Sequence, residues 1–437
     1  MLRRISRFLS LWLCASITGI ITISAYLFFY SESEHSQILT SNGIHAPGAN
    51  IVVSVKTGAS EAAGRIPIQM RTSLRNVRNV VFFSDLEQDI GEYHLYDSLD
   101  TILPKVMKDS PDFVFYKKQR ELWNATHDIS SLKEMKHPEK SDMLAAWALD
   151  KYKNVHILEK TWALMPNHDW YVFIDADTYL LWDNIVNWLS TMNPEKKTYM
   201  GSEVTSEGTR FAHGGTGIII SQATMHNLVV RDAGMAANWD PIIPNKCCGD
   251  LVLGMALKES GTLLQDAWPA MSGEAPWTLP FGPGTPYYWC RPALSLHHLS
   301  PEGMAEFTSF EDRRENKTIT LTHQEIFDTF VLDTLVSERD NWDNMASEPG
   351  EFGETGGVSS LTTTFEECSQ ACEADERCFQ YSHHGNTCNI GMSVRLGYKK
   401  EANKEGVWRS GWRKDRLIGW AKSQPKCGPA SFPKQTT

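Results

Sequence analysis

Residues 169–182 read DWYVFIDADTYLLW, an apolar run, Trp170 to Ile174, that stops on two carboxylates, Asp175 and Asp177. The run is too short for a buried helix and is apolar at every position, so it reads as a central strand of a parallel sheet with both faces covered. In an extended chain residues i and i+2 point to the same side, which turns Asp175 and Asp177 toward one site at the strand's carboxyl end. Open α/β sheets bind their ligands at that end. Two carboxylates there repel unless a cation joins them. A hard divalent ion such as Mn²⁺ or Mg²⁺ takes carboxylate oxygens together with phosphate oxygens, so the pair suggests a metal holding a diphosphate. A helix-entry loop with solvated acids has the same pattern, and the rest of the chain has to decide between them.

Working outward, NIVVSVKTG (50–58) and NVVFFSD (79–85) read as strands, with SEAAGRIPIQMRTSL (60–74) as the helix between them. That alternation is a βαβ unit and predicts an α/β fold on a parallel sheet. SDMLAAWALDKYKNVHILEKTWALM (141–165) carries Met143, Leu144, Trp147 and Leu158 at helical spacing. DNIVNWLSTM (183–192) starts a further helix with Asp183 as its N-cap. At the ends of the first two strands Lys56, Thr57 and Asp85 lie where a nucleotide would rest. Lys153 is a candidate for diphosphate oxygens, although a solvated helix lysine has the same appearance.

Four segments in order resemble the Fringe-like and core 1 β-1,3-galactosyltransferase family, glycosyltransferase family 31. They are WYVFIDADTYLLWDNIVNWL, FAHGGTGIIIS (211–221), CCGDLVLGMAL (247–257) and FGPGTPYYWCRPALSLHHLSP (281–301). LDKYK (149–153) resembles the branch found in filamentous fungi. The resemblance implies a GT-A, Rossmann-like fold, a UDP-sugar donor, a glycan or glycoprotein acceptor, and Mn²⁺ with Mg²⁺ as the alternative. On the same ground Asp177 is the main metal ligand, Asp175 lies nearer the ribose or behind the ligands, and His297 completes the metal set. His298 stands where relatives carry an aromatic residue and is not expected to bind metal. Asp250 matches the catalytic base of an inverting, β-1,3-forming transfer; read alone it would be an N-cap of LVLGMAL. Ala176 replaces an acid common among relatives, which leaves donor preference open. Gly214, Gly215 and Gly217 allow positive φ and a close approach of backbone to ligand, or simply a tight turn before GIIIS. His213 and Trp239 are possible acceptor contacts, with packing as the commoner role for each.

The N-terminus, MLRRISRF followed by an uncharged run over 9–30 and then SESEHS, reads as a cytosolic tail (1–8), a type II signal-anchor and a stem (31–49). Its aromatic end, Tyr26 to Tyr30, argues against a cleaved signal peptide. The remainder then faces the lumen of the Golgi or endoplasmic reticulum, a setting consistent with nine cysteines and with sequons at Asn124 and Asn316. The catalytic domain is expected over 50–345 and a Gly/Ser/Glu-rich linker over 346–360. Over 361–430, Cys368, Cys372, Cys378 and Cys388 have a spacing that resembles a PAN/Apple domain. Such a module is either an acceptor recruiter or a structural cap; Trp408 and Trp412 are candidates for stacking on sugar rings, with burial at least as common a role for such residues. One of Cys247 and Cys248 is expected to bridge to Cys290, and zinc spacing is absent. A formal net charge of −11 excludes a nucleic-acid surface; a homodimer is possible. One rival is a degenerate transferase that only presents the cysteine-rich module to a carbohydrate or protein. The other is a phosphate-ester hydrolase, which would need more ligands to hold two metals.

Overall fold

The computed structural model describes residues 48–348 and 358–436. The expected tail, anchor and nearly all of the stem lie outside the described residues, as does the middle of the linker. Among the described residues no helix is long and apolar enough to cross a membrane.

From Asn50 onward the chain is built on an eight-stranded sheet. Its order is Leu264–Asp266, Tyr199–Gly201, Ile218–Ser221, Trp170–Asp175, Ile51–Lys56, Asn79–Ser84, Tyr93–Asp97, Gln88–Ile90. Trp170–Asp175 is central, and it pairs in parallel with Ile51–Lys56, which sets Lys56 opposite Asp175. Its other neighbour, Ile218–Ser221, runs antiparallel, so the sheet is mixed rather than parallel throughout. The chain enters that neighbour from a short turn, Gly214–Thr216, at the site end and not from a crossover helix, which leaves only the antiparallel direction.

Alternation sorts the central strand between two cores. Tyr171 and Phe173 face the helices Ala145–Leu164 and Gly249–Glu259. Trp170, Val172 and Ile174 face the helices Ala59–Arg71 and Trp182–Leu189. Each large apolar side chain buried this way contributes about 2 kcal/mol. Trp147 departs from the expected apolar face, being 68% exposed at the start of its helix. Asp183 does not cap Trp182–Leu189; Leu181 precedes the helix and Asp183 lies in its first turn, where a carboxylate still complements the dipole.

A five-stranded sheet follows, in the order Glu338–Asp340, Arg409–Trp412, Gln380–His384, Thr387–Gly391, Val358–Leu361. Its helix Phe365–Ala374 is fixed by Cys368–Cys388 and Cys372–Cys378. The expected boundary at 345 falls between the first strand and the rest of this sheet. A third core is shared across that boundary, joining Leu279, Phe281, Phe327 and Leu335 to Phe379, Val394, Leu396, Trp412 and Leu417.

One expectation is corrected here. Cys290 pairs with Cys427, while Cys247 and Cys248 are free. Cys290 belongs to the third core beside Trp289, whose indole meets Trp420 and donates to the Pro425 carbonyl, so the C-terminal tail brings its partner cysteine. Trp408 and Trp412 take packing roles. Trp412 is buried, and Trp408 has His384 stacked on its ring at 3.7 Å and Lys400 3.5 Å from its centroid.

Candidate active site

The two aspartates face different partners, Lys56 for Asp175 and His297 for Asp177. Lys56, brought opposite Asp175 by strand register, lies 3.3 Å from Asp175 Oδ1 and 2.7 Å from Asp150 Oδ2. Burial pushes the Lys56 amine down, but the Asp150 and Asp175 carboxylates outweigh it and hold it well above the ordinary lysine range. Burial raises Asp175, Lys56 pulls it back, and Asp150 raises it further, leaving it above its usual value. Asp177 instead faces His297, with Nε2 3.2 Å from Oδ1. Burial pushes this carboxyl up as well, but the His297 hydrogen bond and charge win and hold it at about 2.

Residues distant in sequence meet because a short ladder and a further main-chain hydrogen bond hold the segments together. Tyr179–Leu180 pairs antiparallel with Ser295–Leu296, and the Leu299 N–H donates to the Asp177 carbonyl at 3.1 Å. Gln69 donates to the carbonyls of Asp175 and Thr178, pinning the aspartate turn from below. His298 joins the group, with Nδ1 4.0 Å from Asp177 Oδ2. Asp177, His297 and His298 each offer a ligand atom, all within 4.8 Å of one another. Asp175 is not in that trio. Burial and the neighbouring His297 hold His298 below its ordinary value.

Asp250 is in the first turn of Gly249–Glu259, after Cys248 as N-cap, so it does not cap its own helix. Its carboxylate accepts from the Gly214 N–H at 2.7 Å and from Asn154 Nδ2 at 2.8 Å. The glycines serve these side chains. A Cβ on Gly214 would fall 2.8 Å from Asp250 Oδ1, and one on Gly215 would fall 2.1 Å from His297 Cε1. Only Gly217, at φ +90°, uses the left-handed freedom expected of all three. Thr178 ties the two motifs together by donating to the Gly215 carbonyl at 2.7 Å.

Lys56, Thr57, Lys153, Asp175, Asp177 and His297 line one open cleft of about 490 Å³, together with Arg65, Trp147, Asp150 and His298. His213 lines a second opening of about 690 Å³ with Ser202, Glu203 and Thr216, and its ring is 5.8 Å from that of His297. Burial holds His213 below its ordinary value; Asp250 opposes this and His297 reinforces it. Lys153 is committed, donating to the Thr57 carbonyl at 3.0 Å and lying 3.5 Å from Asp85. Asp85 is buried, accepts the Ala59 N–H at 2.8 Å and does not line the cleft; it satisfies the start of the Ala59–Arg71 helix. Trp239 is in the core behind Ala145–Leu164 and does not reach either opening.

Arg65, Asp150 and Asn154 also belong to the site without a candidate role from the sequence, and His298, which was not expected as a ligand, joins the group. Asp150, Lys153 and Asn154 stand at i, i+3 and i+4, one face of a helix, which is a signal the LDKYK segment already carried. Arg65 had no such signal.

Fold and cleft together define a mixed α/β protein with a charged cleft at the carboxyl ends of its central strands. The sequence model of the Fringe-like family matches residues 47–260 of this chain. No curated protein matches it. Among solved structures, galactosyltransferase LgtC in complex with donor and acceptor sugar analogues is similar at 9% identity and a TM-score of 0.28, covering 59% of this chain and 95% of that one. That likeness is too slight to bear on the site.

Proposed function

We propose that this protein is a metal-dependent glycosyltransferase of the GT-A type that moves a sugar from a UDP-sugar to a hydroxyl of a glycan or glycoprotein, with inversion and formation of a β-1,3 linkage. The observation that carries the reading is the convergence of Asp177, His297 and Asp250 around one glycine turn. Asp177 and His297, with His298 beside them, would hold the cation. One carboxylate and two imidazoles suit Mn²⁺ better than Mg²⁺, which prefers an all-oxygen shell. When bound, the ion offsets the charge that grows on the departing diphosphate.

The protein's own residues do the rest. Lys56 and Arg65 place positive charge on the cleft wall where a diphosphate would lie. Asp250, fixed by Gly214 and Asn154, accepts the proton of the acceptor hydroxyl as that oxygen attacks the anomeric carbon. His213 borders the second opening, which is the natural approach for the acceptor. Attack from there, opposite the diphosphate, inverts the anomeric centre. The N-terminal run and the cysteine content support a type II anchor and a lumenal, Golgi setting.

The test is turnover of the purified full chain against a set of UDP-sugars, with and without Mn²⁺, beside Asp177→Ala. Mn²⁺-dependent hydrolysis or transfer that Asp177→Ala abolishes is expected; equal turnover in both proteins would refute the proposal.

A further inference from the structure

His297 is held by more than its own strand. Its backbone N–H donates to the carbonyl of Glu274 at 3.1 Å. Glu274 belongs to a closed turn in which its N–H donates to Ser272 Oγ and the Ala275 N–H donates to Thr278 Oγ1 at 3.0 Å. Arg395, from the cysteine-rich part of the chain, enters that turn. Its Nη1 lies 2.7 Å from Glu274 Oε1 and 2.6 Å from the Thr278 carbonyl, and the residue is 3% exposed. Arg395 is fixed in turn, its N–H donating to Gln380 Oε1 and its carbonyl accepting from Trp412 Nε1. Main-chain pairs on both sides, Val394 with Phe281 and Gly397 with Trp277, prevent the segment from sliding.

We infer that Arg395 is a positioning residue for the metal-binding histidine, so that the C-terminal sheet sets the geometry of the catalytic centre through Glu274. The path is short: the guanidinium fixes the Glu274 turn, and the Glu274 carbonyl fixes the His297 backbone against Asp177. A buried ion pair this well coordinated holds one arrangement, because removing either partner leaves a buried charge unpaired. Residues behind metal ligands affect affinity through orientation, and their loss weakens binding by about 10- to 100-fold. The inference rests on the metal reading proposed above.

The experiment measures Mn²⁺ affinity directly on the full chain, from loss of the electron paramagnetic resonance signal of aqueous Mn²⁺. The parent, Arg395→Met, Glu274→Gln and Lys414→Met are compared, each with its melting temperature. Lys414 is a control in the same C-terminal part, bonded to the Leu335 carbonyl away from this turn. Arg395→Met and Glu274→Gln are expected to bind Mn²⁺ at least about tenfold more weakly, while Lys414→Met binds as the parent does. Parental affinity in folded Glu274→Gln overturns the inference, and this near-isosteric variant decides the matter if Arg395→Met does not fold. A parent that shows no Asp177-dependent Mn²⁺ binding overturns the metal reading together with it.

Discussion

A Cβ on Gly215 would stand 2.1 Å from His297 Cε1, so the two residues fit together only because position 215 has no side chain. Gly214 bears the same relation to Asp250. Adjacent glycines thus make room for two different chemical roles, and single methyl groups can separate them. Gly215→Ala is expected to weaken Mn²⁺ binding by about 10- to 100-fold by displacing His297. Gly214→Ala is expected to lower kcat with Mn²⁺ affinity retained. Metal titration and steady-state kinetics on both variants check this; identical profiles would disprove the division.

Asp250→Asn keeps the shape of the side chain and one acceptor oxygen for Gly214, yet cannot take a proton at neutral pH. The expected result is a fall in kcat of about 10²- to 10⁴-fold with UDP affinity unchanged by calorimetry. Loss of UDP binding in step with kcat would assign Asp250 to support of the fold instead.

The central strand and its carboxyl-end aspartates were legible because burial on both faces forces an unbroken apolar run, and a strand end forces the change to polar residues. Asp177, His297 and Asp250 were found by motif resemblance, and the ladder between Tyr179–Leu180 and Ser295–Leu296 is what joins the first two. Register is not written in a local pattern. That is why Lys56 could be placed at the ligand end of its strand but not opposite Asp175, the contact that register adds. Asp85 is likewise a strand-end acid that differs from a ligand only in what packs over it, and Trp239 takes the packing role that was the commoner expectation for it. Cys290 was misassigned because its partner arrives from the far end of the chain.

Removal of residues 358–437 takes Phe379, Val394, Leu396, Trp412 and Leu417 out of the third core. At about 2 kcal/mol each, their loss is about 10 kcal/mol, comparable with the whole stability of a typical domain. The Cys290–Cys427 bridge is lost as well. The truncated chain is expected to lose its near-ultraviolet circular dichroism and UDP binding together. A folded, UDP-binding truncation would show that the third core is dispensable and would reopen a separate recruitment role for this part.

His323 is buried in the third core beside Tyr288, and its Nδ1 donates to the Arg291 carbonyl at 3.0 Å. Burial pushes its pKa down from 6.5 to about 4, with the Arg291 carbonyl opposing. Because the folded value is the lower one, the unfolded chain binds the extra proton first as pH falls. The stability from the neutral ring is therefore fully present above pH 6.5 and lost between there and about 4. Denaturant titrations at pH 7 and pH 4 should show the parent losing about 3 kcal/mol more than His323→Gln. Equal losses would place the acid sensitivity elsewhere.

Trp147 is the large aromatic on the wall of the cleft, and its 68% exposure leaves one of the most apolar side chains in water. Its helix does not need it there, since Ala145, Ala148 and Leu149 already supply the buried face of the first turns. A flat indole beside Lys56 and Thr57 is suited to stacking on a planar base, an interaction worth about 1–3 kcal/mol. Trp147→Ala is accordingly expected to raise the UDP dissociation constant and the donor KM together by about tenfold or more, with kcat little changed. Trp147→Phe should recover most of the loss, because a ring face is what the contact uses. Calorimetric titration with UDP decides it: parental affinity in Trp147→Ala would remove the residue from the donor site and assign its exposed ring to some other surface.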